Sequence, residues 1–181
     1  TNEGIITGDI YLGDDKSELS NDGEIFGNIY FHSENIPNVE ENVSGGLTLN
    51  ATSMEVSDPL VENILTVNNE ITGDIYMGLL SSQVDLNANG VINRDVYFRG
   101  YEEGLWSNGN IVNLNGGVIN AVDGKIGAFY FGSGTDNVIN LYSANSAKYR
   151  YFIDSESGVT INNMISANDN VVVLLNGGID I

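Results

Sequence analysis

The sequence predicts an all-β fold, a parallel β-solenoid of about 20–23 residues per coil with essentially no helix. Three observations lead to this prediction. A short motif returns once per period in the same chain direction, clusters of Gly, Asn, Asp and Ser separate the copies, and no window keeps apolar residues at helical spacing for three turns. The chain has 181 residues and is expected to form a single solenoid segment, residues 1–181.

The repeating motif carries a tyrosine at its fourth position in every copy. The copies are residues 8–12 (GDIYL), 27–31 (GNIYF), 73–77 (GDIYM), 94–98 (RDVYF) and 127–131 (GAFYF). In the first four copies an isoleucine stands two residues before the motif, whereas Lys125 takes that place in the fifth. The motif alternates in polarity and is rich in β-branched and aromatic residues, which favours a strand.

The distances between the motif tyrosines predict where the coils are irregular. The first two are 19 residues apart, and the third and fourth are 21 apart. We interpret the 46 residues between the second and third as two periods, with a copy missing near residues 47–56. The 33 residues between the fourth and fifth predict an inserted strand at residues 110–114. Irregular coils or loop insertions are therefore expected near residues 32–67 and 101–117 and around residues 143–154.

Alternation within the motif assigns one face of each strand to the core and the other to the outside. Ile6, Gly8, Ile10 and Leu12 share the inward parity, and the glycine indicates a tight corner or a close approach of backbone. The outward positions form a candidate binding ladder of Asp9, Tyr11, Asn28, Tyr30, Asp74, Tyr76, Asp95, Tyr97 and Tyr130. Stacked aromatic and amide side chains also stabilise parallel in-register strands, so a structural role for this ladder is the alternative.

Composition excludes several classes of function. Six basic residues against 25 acidic ones give a net charge of −19, which argues against nucleic acid and anionic lipid as partners. The absence of Cys excludes disulfides, a thiol nucleophile and a Cys-based zinc site. His32, the only histidine, is expected to be an ordinary exposed residue at a strand end. No apolar run approaches the roughly 18 residues of a membrane helix, so lipid insertion is not expected.

Residues 4–31 (GIITGDIYLGDDKSELSNDGEIFGNIYF) and 70–78 (EITGDIYMG) resemble the passenger repeats of bacterial autotransporters and related large surface adhesins. Those families commonly repeat a motif like "sGtItGdIyLGdGdDtftNnG". The resemblance covers the five copies, about half of the chain, and is lost at residues 47–67 and 143–154. It implies a right-handed parallel β-helix without catalytic residues. It further implies a secreted protein, displayed at a bacterial surface, that serves adhesion, aggregation or self-association.

The partners that follow from this interpretation are a second copy of the chain, bound homotypically or end to end, or a protein or glycan on a host or neighbouring cell. Self-association would use the run of residues 170–175, because the end of a solenoid offers unpaired backbone groups to another chain. The sequence begins with Thr1 and ends on a strand-like pattern, which leads us to expect a processed or excised segment.

An acidic cluster, Asp14, Asp15 and Glu18, follows the first motif and is the candidate for weak calcium binding. The nine-residue glycine–aspartate repeat of known calcium-binding solenoids is missing, and so is an EF-hand loop. A solvated turn is therefore the simpler interpretation of these three residues. No other cofactor is expected.

Two alternatives to adhesion remain open. One is a structural subunit of an extracellular filament or surface layer. The other is a carbohydrate-active β-helix, a lyase, hydrolase or phage-tailspike-like protein, in which Asp74 and Asp95 on adjacent coils would act as acid and base. Only Arg94 and Arg99 stand nearby to neutralise a sugar acid, and they more simply relieve repulsion between the stacked carboxylates.

Tyr101 and Trp106 form a second candidate recognition patch. Trp106 is the only tryptophan and lies between two turn signals. Together the two rings would offer an exposed aromatic surface to a sugar or a protein. Packing of Trp106 in the core or under a cap is the alternative.

Overall fold

The computed structural model of this chain describes residues 1–13, 16–31, 62–99, 105–120, 127–143, 149–163 and 171–177. Within these ranges it contains β-strands and no helix. The strands, numbered in chain order, are β1 (Ile5–Thr7), β2 (Ile10–Tyr11), β3 (Glu18–Asn21), β4 (Glu24–Phe26), β5 (Ile29–Tyr30), β6 (Asn63–Val67), β7 (Glu70–Ile71), β8 (Ile75–Tyr76), β9 (Ser82–Asn87), β10 (Val91–Ile92), β11 (Val96–Tyr97), β12 (Ile111–Asn115), β13 (Val118–Ile119), β14 (Ala128–Gly132), β15 (Val138–Ser143), β16 (Tyr149–Ser155), β17 (Thr160–Asn163) and β18 (Val171–Gly177).

Successive strands enter three different parallel sheets in turn. The first sheet has the order β1-β4-β7-β10-β13, the second β2-β5-β8-β11-β14-β16-β18, and the third β3-β6-β9-β12-β15-β17. Each coil up to β15 therefore adds one strand to each sheet, and neighbouring strands within a sheet come from neighbouring coils. This all-β arrangement is consistent with a β-solenoid or β-helix, which confirms the predicted fold class at that level.

Inward side chains from the three sheets stack in columns and form one core. Three of these columns are Ile25-Ile71-Ile92-Ile119, Ile29-Ile75-Val96-Phe129 and Leu65-Val84-Val112-Ile139. All twelve side chains are buried, and each contributes about 1.5–3 kcal/mol relative to exposure. Phe98 and Phe131 stack in the interior with ring centroids 4.5 Å apart. The predicted inward parity of the motif is confirmed in these coils.

The motif glycine is required where successive coils come closest. A Cβ on Gly27 would collide with the carbonyl oxygen of Gly8, and a Cβ on Gly73 would collide with the carbonyl oxygen of Gly27. Backbone atoms therefore occupy the space that a side chain would need. The predicted close approach of backbone at this position is confirmed.

The register corrects two predictions about spacing. Tyr30 pairs directly with Tyr76, so the 46 residues between them span one coil and the two-period interpretation is wrong. Residues 47–56, where a missing copy was expected, lie outside the described residues. Tyr97 likewise pairs directly with Tyr130, and the expected inserted strand is β12, a regular member of the third sheet. The number of residues between tyrosines did not predict which strands pair, because long insertions cost little additional entropy. Side-chain stacking specifies the pairing instead.

The coil length varies more than the predicted 20–23 residues. Hydrogen-bonded equivalent positions on adjacent coils are separated by 19, 21, 22, 27 or 28 residues in several places. Strands β6, β12 and β16 overlap the ranges in which irregular coils were expected, and all three pair with both neighbouring strands in their sheets. Strand β18 pairs with β16 on one side and is the edge strand of the described second sheet. Its pairing with another molecule stays a prediction.

Candidate binding surface

A column of five stacked tyrosines runs along the outside of the second sheet. Adjacent ring centroids, from Tyr11 through Tyr30, Tyr76 and Tyr97 to Tyr130, are 4.7, 5.1, 5.0 and 4.9 Å apart, and the ring planes differ by at most 12°. We call these five residues the tyrosine ladder. It follows from in-register parallel pairing, which places equivalent residues about 4.8 Å apart along the axis. The predicted outward stacking is confirmed.

The ladder stabilises the fold and also presents part of its rings to solvent. Aromatic pairs contribute roughly 0.5–1.5 kcal/mol beyond the area that they bury. Parallel rings at these centroid distances are laterally offset or lie beyond van der Waals contact, so a neighbouring ring does not fully cover each ring face. Tyr11 is 40% exposed and Tyr30 only 9%, while Tyr76, Tyr97 and Tyr130 are half-buried.

A second column, two residues before each of the first four tyrosines, is held together by side-chain-to-backbone hydrogen bonds. The backbone N–H of Asn28 donates to Asp9 Oδ1 at 2.8 Å, and that of Asp74 donates to Asn28 Oδ1 at 2.8 Å. The N–H of Asp95 donates to Asp74 Oδ1 at 3.2 Å, and that of Ala128 donates to Asp95 Oδ1 at 2.9 Å. We call Asp9, Asn28, Asp74 and Asp95 the Asx column. Each member satisfies a backbone donor of the next coil.

These hydrogen bonds give the Asx column a structural role. One oxygen of Asp74 and one of Asp95 accept backbone hydrogen bonds. These are the two residues that a carbohydrate-active enzyme would use as acid and base. The negative charges of these carboxylates remain for a partner to encounter. Within the described residues, no group of three or more His, Cys, Asp or Glu side chains is arranged to hold a metal ion.

Hydrogen bonds also link the Asx column to the tyrosine ladder. Tyr97 Oη donates to Asp95 Oδ2 at 3.2 Å, and Asn28 Nδ2 donates to Tyr30 Oη at 3.2 Å. Burial raises the pKa of the Tyr97 hydroxyl far above its usual 10, and the charges of Asp95 and Asp74 raise this pKa further. The Tyr97 hydroxyl is therefore a neutral hydrogen-bond donor at physiological pH.

The same two causes act on two other members of the tyrosine ladder. Burial raises the pKa of Tyr30, and the charge of Asp9 adds to the effect. Burial also raises the pKa of Tyr130, followed by the charge of Asp95. An anionic tyrosinate is disfavoured at each of these positions, because it would be partly desolvated and would face a carboxylate.

Arg99 places a cation beside the tyrosine ladder. Its Cζ lies 5.1 Å from the ring centroid of Tyr97, 5.9 Å from that of Tyr76 and 5.6 Å from that of Trp106. These distances are within the range of cation–π attraction. The buried Nε of Arg99 has no hydrogen-bond partner among the described residues, so the aromatic rings are a principal part of its surroundings.

Trp106 completes this aromatic cluster. It forms an isolated antiparallel bridge with Arg99 and is half-buried. The Trp106 indole occupies the space beside Gly132, where a Cβ would overlap the ring. Packing thus accounts for Trp106, while Tyr101, the other half of the predicted recognition patch, lies outside the described residues. A recognition role for this patch stays a prediction.

The calcium candidate falls largely outside the structure. Asp14 and Asp15 are not among the described residues. Glu18 begins β3, is exposed and pairs through its backbone with Ile64. Calcium binding by these three residues stays a prediction.

Three outward amide ladders were missed by the sequence analysis. In each, the side-chain amide of one coil donates to the side-chain oxygen of the preceding coil, over distances of 2.5–3.0 Å. The ladders are Asp22-Asn68-Asn87-Asn115, Glu70-Asn93-Asn120 and Asp85-Asn113-Asn140-Asn162. A signal for the last of them was available in the sequence, because its first three members each stand between two inward apolar residues.

Asparagines also line an inner corner of the coils. Asn110 Nδ2 donates to Asn137 Oδ1 at 2.8 Å, and the backbone N–H of Ser82 donates to Asn110 Oδ1 at 3.0 Å. All three residues are buried. Their mutual hydrogen bonds offset the cost of burying polar groups, so the high Asn content of this chain has a structural cause.

The structure has no helix within the described residues that is long and apolar enough to cross a membrane. No family model, no curated protein and no solved structure matches the chain.

Proposed function

We propose that this chain is part of a secreted or surface-displayed bacterial protein, a right-handed parallel β-helix that acts without catalysis in adhesion, aggregation or self-association. The observation that carries the proposal is the tyrosine ladder with its adjoining Asx column. Five coils present a tyrosine at a regular spacing of 4.7–5.1 Å between ring centroids, and in four of them an Asp or Asn accompanies it. Such a surface offers repeated, individually weak contacts along its length.

The rigidity of the scaffold supports recognition by an extended surface. Tyrosine is suited to contact surfaces because its large ring has only two rotatable side-chain bonds, so little conformational entropy is lost on binding. Here the rings are already ordered by their neighbours. Repeated contacts on one rigid support act together, and their combined strength exceeds that of any single contact.

The resemblance of the motif copies to passenger repeats supports the location and the class of activity. A coil built from Gly, Asn and apolar residues needs neither disulfides nor metals to hold its register. The chain has no Cys. The partner that we propose is another copy of the chain or a protein or glycan on a neighbouring cell.

Beads coated with the protein test this proposal. We expect wild-type beads to clump, measured by light scattering, or to attach to bacterial or host cells, counted by flow cytometry. Tyr76→Ser combined with Tyr97→Ser should reduce this response, because two central rungs of the ladder are removed. Tyr142→Ser is the matched control, since Tyr142 is 48% exposed on β15 and does not belong to the ladder.

Circular dichroism must show that both variants keep their sheet content. Beads that neither clump nor attach under any ionic condition would contradict the proposal. Incubation with acidic polysaccharides gives an independent check. A new reducing end or an unsaturated sugar that disappears in Asp74→Asn would establish the carbohydrate-active alternative. Ordered filaments in electron micrographs of the concentrated protein would favour the structural-subunit alternative.

A further inference from the structure

The tyrosine ladder already holds one cation, and that cation is a guanidinium. Arg99 Cζ lies 5.1 Å and 5.9 Å from the ring centroids of two successive rungs, Tyr97 and Tyr76, whose own centroids are 5.0 Å apart. The guanidinium therefore lies beside the stack, in contact with two rungs at once. A weakly hydrated planar cation is suited to this position, because it makes cation–π and stacking contacts without fully losing its hydration.

A position equivalent to that of Arg99 is open at one rung, Tyr11, whereas the Trp106 indole lies against it at Gly132 and the Phe31 carbonyl oxygen lies against it at Gly78. Ring spacing is the same within 0.4 Å along the whole ladder, from 4.7 to 5.1 Å. The position two residues after the tyrosine is occupied by Gly13, Gly78 and Gly132 in three coils, so Arg99 is the only cation that this position supplies among the described residues. At Gly13 a Cβ would meet nothing within 4 Å, and the neighbouring Tyr11 is 40% exposed.

Charge complementarity points in the same direction. The Asx column on the other side of the tyrosines contributes Asp9, Asp74 and Asp95, and the whole chain carries a net charge of −19. Asp9 is exposed, and the other two are half-buried. These aspartates act on the tyrosines from the side opposite Arg99, and their negative charge remains after one oxygen of each has accepted a backbone hydrogen bond.

We propose that the tyrosine ladder and the Asx column together form a docking surface for an extended, arginine-rich segment of a partner protein. A guanidinium group of the partner takes the position beside Tyr11 that is equivalent to that of Arg99, and the aspartates supply counter-charge to the rest of the segment. The inference rests on the proposed adhesive function and names the chemistry of its partner. It predicts that arginine is preferred over lysine, because an ammonium is strongly hydrated and lacks a planar face.

The probes are fluorescently labelled hexa-arginine, hexa-lysine and hexa-glutamate peptides, with binding followed by anisotropy at low and at physiological salt. We expect hexa-arginine to bind more tightly than hexa-lysine, with a preference that persists at physiological salt, where simple charge attraction is screened. Hexa-glutamate should not bind. Equal affinities for the arginine and lysine peptides would overturn the proposal.

Two sets of variants locate the site. Tyr11→Ala should weaken hexa-arginine binding by about two- to fivefold, whereas Tyr11→Phe, which keeps the ring, should not. Tyr142→Ala serves as the control, because Tyr142 is an exposed tyrosine outside the ladder. Loss of binding in Tyr142→Ala equal to that in Tyr11→Ala would contradict the proposal. Melting curves establish that each variant is folded.

The second set removes charge without removing hydrogen-bond acceptors. Asp74→Asn with Asp95→Asn should weaken binding of the arginine peptide, because two negative charges are removed. The fold should be kept, because each asparagine oxygen still accepts the backbone N–H of the next coil. Asp136→Asn with Glu156→Gln removes the same charge from exposed positions elsewhere and should have a smaller effect. Equal effects of the two pairs would contradict the site. Bead adhesion without arginine-selective binding refutes only this inference, whereas selective binding without adhesion refutes the proposed function.

Discussion

At Tyr97, one side chain combines three contributions to the fold. Its ring stacks on Tyr76 and Tyr130, its hydroxyl donates to Asp95, and its face contacts the guanidinium of Arg99. Burial and the nearby carboxylates of Asp95 and Asp74 favour the neutral phenol in the folded state. The residue therefore connects the fold to the ionisation of the surface that we propose as the binding site.

Stability should fall at alkaline pH because of these tyrosines. Burial and neighbouring carboxylates raise the pKa of Tyr30, Tyr97 and Tyr130 in the folded state above the unfolded value near 10. Their contribution is fully present below pH 10 and is lost as the pH rises through the folded-state values, since only the unfolded chain ionises readily. We expect the melting temperature to be nearly constant from pH 7 to about pH 9 and to decrease above about pH 10.

Tyr97→Phe tests the assignment. This variant loses the hydrogen bond to Asp95, so it should be less stable at pH 7 by about 1 kcal/mol. It should nevertheless show a shallower decrease in melting temperature between pH 9 and 11. Tyr142→Phe is the control and should show the wild-type decrease in melting temperature. If Tyr97→Phe showed the same decrease between pH 9 and 11, Tyr97 would not be a cause of the alkaline destabilisation.

At the scale of the strand, the amide ladders share one polarity. The amide of each asparagine donates toward the preceding coil, so the first member of a ladder has only to accept. The described first members are Asp22, Glu70 and Asp85, which are all carboxylates. A carboxylate accepts more hydrogen bonds than an amide oxygen and has no donor to satisfy. Acidic residues therefore begin these ladders, and asparagines continue them.

This polarity predicts an asymmetric response to Asn→Asp substitution. Asn140 donates to Asn113 Oδ1 at 2.8 Å and accepts from Asn162 Nδ2 at 2.9 Å. Asn140→Asp keeps the acceptor but places a carboxylate oxygen against another oxygen, so the free energy of unfolding should fall by about 1–3 kcal/mol at pH 7. Chemical denaturation provides the measurement. Part of the loss should be recovered near pH 4, where a protonated carboxyl group donates again.

Asn89→Asp is the matched control for this substitution. Asn89 is exposed in the turn after β9, so the variant adds the same charge without interrupting an amide ladder. Its stability should change by less than about 0.5 kcal/mol. Equal destabilisation of the two variants would show that added charge, rather than the broken ladder, is the cause.

For the whole molecule, the repeated motif and its alternation of polar and apolar residues were sufficient to predict three features. These are the parallel all-β fold, the inward isoleucines and the outward stacking of Tyr11 through Tyr130. The amide ladders could not be predicted, because their members meet only when the register across every insertion is known. The contact of Arg99 with Tyr76 and Trp106 was missed for a related reason. It joins residues of different coils with Trp106, which lies outside the copies of the repeated motif.

Net charge acts at this largest scale. The chain carries −19, and several of its carboxylates recur in columns along the coils, so two molecules that approach side by side repel each other at low ionic strength. The Debye length falls from about 30 Å at 0.01 M salt to about 8 Å at 0.15 M. Short-range contacts between ladders on different molecules become favourable only after this screening.

Self-association should therefore increase with ionic strength. Sedimentation velocity should show mainly monomers in 10 mM NaCl and larger species in 200 mM NaCl. MgCl₂ or CaCl₂ at matched ionic strength should increase the share of larger species further, because divalent cations neutralise neighbouring carboxylates more effectively. Asp74→Asn with Asp95→Asn should associate at lower salt than the wild type, since it carries less negative charge on the ladder surface. If association instead weakened with salt, attraction between opposite charges, rather than contact between two acidic ladders, would hold the molecules together.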